Sequence, residues 1–222
     1  VLVHLGSEAL KQGKNVVHYT LELSDTAVAR RYDACLTGHN LDELEEQKDS
    51  IFDKIKDVDG QLIIKEYPTK SATTVTIKNH LEKVRQNQME VDMVIVDYGD
   101  LLRGTYRTAE KRHELESIYE ELRGIAQEFN CPLVTASQTN RKGLSEEVIT
   151  MESISEAFNK CFVADFIISL SRTIRDKNSN IGRLFIAKNR NGPDGIIFSV
   201  FMDPGSVCIK VLEQDDVCEI QR

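Results

Sequence analysis

The sequence predicts an α/β fold, a mostly parallel twisted sheet flanked by helices and finished by antiparallel C-terminal hairpins. Three observations predict it. Over residues 1–136, short apolar runs of strand length alternate with amphipathic helical stretches, the order a parallel sheet needs because each crossover must travel back along the sheet's face. V-D-M-V-I-V-D (91–97) is almost continuously apolar, which marks a strand covered on both faces. From 166 onward the character changes: strands over 166–171, 183–188, 196–201 and 207–212 follow one another with little helix between, which predicts hairpins.

Each element has a local reason. Leu2, Leu5 and Ala9 share helical spacing and Gly13 suits the C′ position, so the chain opens inside a helix. V-V-H-Y-T-L (16–21) reads as a strand, and Ser24 as the N-cap of a helix ending near Gly38. In the charged stretch that follows, Leu44, Ile51 and Ile55 lie on one face of a helix. Q-L-I-I-K-E (61–66) is a further strand, and Ile77, Leu81 and Val84 mark the helix after it. Leu115, Ile118, Tyr119, Leu122, Ile125, Ala126 and Phe129 form the apolar face of a long helix, which leads into the short strand P-L-V-T-A (132–136). No repeat, low-complexity segment or boundary divides the chain, so residues 1–222 read as one domain.

Composition narrows the class. With 41% hydrophobic and 29% charged residues and four prolines, the 222-residue chain is globular in composition, without the bias of a disordered tail. No apolar run approaches the roughly 18 residues of a membrane span, and the N-terminus has no charged head or cleavage site of a signal peptide. A cytoplasmic protein without a membrane partner is expected. Five cysteines, odd in number, widely spaced and lacking C-x-x-C, indicate neither a disulfide framework nor a zinc site. A net charge of −8 excludes coating nucleic acid with the whole surface. It leaves room for a few cations lining a channel inside an acidic ring.

The chemistry-bearing residues lie at strand ends, where a parallel sheet opens its ligand crevice. Asp97 ends an apolar strand and is placed to hold the magnesium of a nucleotide, directly or through water; the plain alternative is a loop cap. Glu22 ends Y-T-L-E and is placed to polarise a water, although strand-end glutamates are common. Gln138, in S-Q-T-N-R (137–141), offers an amide that can sense a γ-phosphate or orient water; its surroundings also suit an ordinary loop. R-L-F-I-A-K-N-R-N-G-P-D-G-I-I-F-S-V-F (183–201) reads as a hairpin whose alternation aims Lys188 and Arg190 the same way. Two such cations suit developing phosphate charge. Taken alone they read more readily as solvated edge charges. Three polar residues at three successive strand ends, with two cations after them, are harder to dismiss.

The order L-E-L-S, M-V-I-V-D-Y, S-Q-T-N-R and I-A-K-N-R-N-G-P-D-G resembles the ATPase domain of DnaB-type replicative helicases, especially the phage-encoded branch, within the RecA-like P-loop NTPase fold. The likeness covers nearly the whole chain, and the K-N-R-N-G-P block is its most specific part. It implies an ATP- and Mg2+-dependent motor that assembles as a homo-hexamer, translocates on single-stranded DNA and unwinds duplex, with a primase and a helicase loader as further partners. It implies Glu22 as catalytic base, Asp97 as Walker B acid, and Gln138 as the sensor linking the γ-phosphate to DNA loops. Lys188 and Arg190 become cations given to the nucleotide of the adjacent subunit, and Arg172 a residue near nucleotide or a neighbour. DNA contacts are expected from Arg103 and Arg107 after the acid, and from Arg141 and Lys142 after the sensor. Backbone groups around Ser155, Glu156, Ala157 and Phe158 complete that expectation.

One departure stands out. No G-x-x-x-x-G-K-[ST] occurs; the sole G-K, Gly13-Lys14, precedes Asn15 and follows the first helix. The expectation is a chain truncated just after its phosphate loop, also lacking the family's N-terminal domain and weak or inactive in ATP binding alone. Competing readings are a recombinase or clock-type RecA-like ATPase, against which the K-N-R-N-G-P hairpin speaks, and a degenerate, non-hydrolytic scaffold relative.

Overall fold

The innermost strands are the most apolar, and they place the rest. Val16–Thr20 (β1) is buried at all five residues, and Met93–Asp97 (β3) carries Val94, Ile95 and Val96 at zero exposure. They pair in parallel with Leu62–Glu66 (β2) and Leu133–Thr135 (β4) in the order β2-β1-β3-β4. The computed structural model describes residues 1–105, 111–139, 148–151 and 159–213.

Residues alternate across β1, so each face acquires its own helices. Leu2–Lys11 (α1) and Asp25–Thr37 (α2) bury Val3, Ala9, Leu10, Val28, Tyr32 and Cys35 with Val16 and Ile95. On the opposite face, the Tyr19 hydroxyl lies 2.9 Å from His80 Nδ1 on Thr74–Gln86 (α4), which in turn neighbours Lys111–Phe129 (α5). Lys48–Ile55 (α3) packs Ile51 against Ala34 and Leu44. The helix boundaries follow their signals. Ser24 accepts from Ala27 N–H as the N-cap of α2, Gly38 closes it at φ 77°, Gly13 follows α1 at φ 72°, and Thr73 with Thr76 forms a capping box on α4.

The later strands form a sheet of their own among the described residues. Phe166–Ser171 (β5), Ile181–Asn189 (β6), Ile197–Asp203 (β7) and Cys208–Val211 (β8) are antiparallel in chain order, with two short helices, Asn159–Val163 (α6) before β5 and Ile174–Asn178 (α7) between β5 and β6. The hairpins are therefore where they are expected. They do not prolong the parallel sheet; the chain divides into two compact units, 1–137 with 205–207, and 138–204 with 208–222. Leu44 is the other difference: it lies in the turn before α3, yet still packs with Ile51, so its apolar contact is satisfied without helical geometry.

Candidate active site

In the first unit, Thr20, Glu66 and Asp97 stand in one register row at the carboxyl ends of three adjacent strands. Leu21 N–H donates to Asp97 C=O at 2.9 Å, carrying β1 past the row and setting Glu22 beside Asp97. Glu22 is exposed while Asp97 is half-buried. Burial, and next the negative charge of Glu22, hold the Asp97 carboxyl above its ordinary pKa. Two carboxylates, one wet and one partly desolvated, suit a proton acceptor beside a cation ligand. Glu66, the remaining acid of the row, is occupied: it accepts from Asp25 N–H at 3.0 Å.

The chain leaves β3 through a cis Asp97–Tyr98 peptide and enters a loop held on several sides. Lys70 Nζ donates to the carbonyls of Asp100 (3.0 Å) and Leu102 (2.6 Å), Arg103 N–H to Ala72 C=O, and Gly104 N–H to Glu114 Oε1 at 2.8 Å. Tyr119 donates its hydroxyl to Asp100 Oδ1 at 2.7 Å, and Glu121 accepts from Thr74, Thr105 and Ser117. This bracing fixes the segment that follows the acid. Sequence reasoning missed these roles of Lys70, Tyr119 and Glu121, because Lys70 donates to main-chain carbonyls and most partners of Tyr119 and Glu121 are distant in sequence.

In the second unit, Lys188 is the penultimate residue of β6 and Arg190 lies one residue past its end. Lys188 Nζ donates to the carbonyls of Cys161 (2.8 Å) and Phe162 (3.1 Å). Arg190 Nη2 donates to the same Phe162 carbonyl at 2.8 Å, and Nη1 to Asp165 Oδ1 at 2.8 Å. A shared acceptor brings the two cationic heads together, no farther apart than about 6 Å, the two bonds laid end to end. Strand alternation alone does not achieve this, because Arg190 is outside the strand.

Residues 2–205 match the DnaB-like helicase C terminal domain family. The chain belongs to that family. It is 26% identical over 184 residues to a DnaB-like replicative helicase of Enterobacteria phage T4, which takes in 78% of the chain and 39% of that protein. With the replicative DNA helicase DnaB of Geobacillus stearothermophilus it shares 26% identity over 224 residues, 96% of the chain and 49% of the relative. The chain thus spans less than half the length of these relatives. Its fold matches that of a solved ATPase domain with a TM-score of 0.79 at 17% identity, covering 95% of the chain and 80% of that domain. A DnaB-like replicative helicase studied with its primase interactions matches at 0.77 and 18%, covering 95% of the chain and 56% of its own. The fold is RecA-like.

Within the DnaB-like domain the other expected residues are placed as follows. Gln138 is exposed, three residues beyond β4. Arg103 is exposed, and its guanidinium has no partner among the described residues. Arg172 is half-buried and spends two of its donors on its own connection, with Nε on Ile181 C=O (3.0 Å) and Nη2 on Lys177 C=O (3.4 Å). Lys160, the second residue of α6, is 2% exposed. Arg107, Arg141, Lys142, Ser155, Glu156, Ala157 and Phe158 lie outside the described residues.

Proposed function

We propose that the chain is the motor domain of a hexameric replicative DNA helicase, which couples ATP hydrolysis at subunit interfaces to movement along single-stranded DNA in the cytoplasm. The observation that carries this reading is the Glu22–Asp97 pair at adjacent strand ends of a DnaB-like domain. Glu22 keeps its carboxylate in solvent, where it takes a proton from the attacking water. Asp97 fits a magnesium ligand: its desolvated charge, raised further by Glu22, gains from a cation. Magnesium, when bound with nucleotide, offsets charge on the phosphate oxygens. Gln138 reads the γ-phosphate side of the site, and Arg103 tracks the DNA backbone as an exposed cation on a braced loop. Lys188 and Arg190 serve the nucleotide of the adjacent subunit, where paired cations are worth most as charge develops on the phosphoryl group. A primase partner is supported by the likeness to a helicase that interacts with one.

The test uses the full-length protein. Arg190→Ala abolishes DNA-stimulated ATP hydrolysis and leaves nucleotide binding largely intact. In hexamers mixed from Arg190→Ala and Glu22→Gln subunits, activity follows the number of interfaces that pair an intact Glu22 with an intact Arg190 across them. Normal hydrolysis by pure Arg190→Ala rings would overturn the assignment of the cations.

A further inference from the structure

We infer that Asp165 is a positioning residue for Arg190, holding the guanidinium in its working direction from the position just before β5. The inference rests on the reading of Arg190 as the cation given in trans. Arg190 lies past the end of β6, so strand geometry does not set its side chain. Asp165 does so at two points. Its carbonyl accepts Arg190 N–H at 3.0 Å, and its Oδ1 accepts Nη1 at 2.8 Å. The adjacent Phe166↔Asn189 pairing of β5 with β6 holds the two chains at that spot.

The third point comes from α6. The last carbonyls of any helix lack intrahelical partners and attract cations. In α6 two of them, Cys161 and Phe162, receive Lys188, and Phe162 also receives Arg190. Arg190 spends two of its five N–H donors in this way; Nε–H and the second hydrogens of Nη1 and Nη2 stay available to an anion. The Arg190–Asp165 pair is exposed at both side chains, 43% and 53%, so its attraction is screened and adds little to folding stability. What the contact does supply is restriction: an arginine already confined to one rotamer loses less freedom on meeting a phosphate. It is held and still has donors to give.

The experiment compares Asp165→Ala, Asp165→Asn, Arg190→Ala and the double variant Asp165→Ala/Arg190→Ala in full-length hexamers, with DNA-stimulated ATPase and nucleotide binding as readouts. Asp165→Ala is expected to lower kcat between about ten- and a hundredfold, the scale of a misplaced catalytic group, with the KM for ATP nearly unchanged. Asp165→Asn, whose side-chain oxygen still accepts from Nη1, retains most of the rate. The double variant is as inactive as Arg190→Ala alone. A wild-type kcat in Asp165→Ala overturns the role of Asp165. Normal hydrolysis by Arg190→Ala instead overturns the underlying assignment of the cation, so the two failures are told apart. Where Asp165→Ala rings do not assemble, Asp165→Glu, which moves the carboxylate by one methylene, is compared with Asp165→Asn; wild-type rates in both overturn the proposal.

Discussion

Asp97 shows how a half-buried carboxyl costs the fold something. A carboxyl whose native pKa stands above its unfolded one binds its proton more tightly when folded. Its charge therefore destabilises the native state at every pH above that window, and the cost fades as acid protonates the group. Asp97→Asn is expected to raise the thermal midpoint near neutral pH, with the gain shrinking as the pH falls toward about 3, measured by thermal unfolding across that range. A lower midpoint at neutral pH would mean that Asp97 is structural. Residue identity and position, Glu22, Asp97, Lys188 and Arg190 among them, could be read in the sequence because strand ends and acids are visible there. The acceptors that orient Lys188 and Arg190 could not, since the carbonyls of Cys161 and Phe162 are common to every residue type.

At the scale of elements, periodicity and caps carried most of the fold. The helix begun at Ser24 and ended at Gly38 is the clearest case, both ends set by side-chain or backbone chemistry that only a few residue types supply. Ser24→Ala should cost about 1 kcal/mol of stability through the loss of the bond to Ala27 N–H, measured as a shift of the denaturant midpoint at constant m. An unchanged midpoint would show that solvent replaces the cap. The short helices α6 and α7 were not legible, because five residues hold less than two turns and no apolar period can show. Leu44 was misplaced for the opposite reason: spacing of 44, 51 and 55 mimics a helical face, while a turn brings the same side chain to the same cluster.

For the whole molecule, the parallel sheet was legible and its division from the antiparallel one was not, because strand runs reveal direction and burial but not which sheet they join. The centre of that parallel sheet also sets the acid limit of the fold. His18 is fully buried on β1, with Nδ1 2.9 Å from the Tyr32 hydroxyl, and burial pushes its pKa down to about 4. A histidine lowered in the native state leaves stability intact above its unfolded value and removes it as the pH falls from about 6.5 toward 4, a loss of about 3 kcal/mol. Urea unfolding at pH 7 and near 4.5 should show that loss, and His18→Gln should flatten it; equal midpoints in the parent chain would contradict the buried neutral imidazole.

The Phe162 carbonyl has a consequence for how such a domain can vary. Because the group that gathers both cations belongs to the main chain, any amino acid at 162 can present it. Only an edit of the peptide link itself, such as an ester or thioamide introduced by semisynthesis at 162, would expose what the residue contributes.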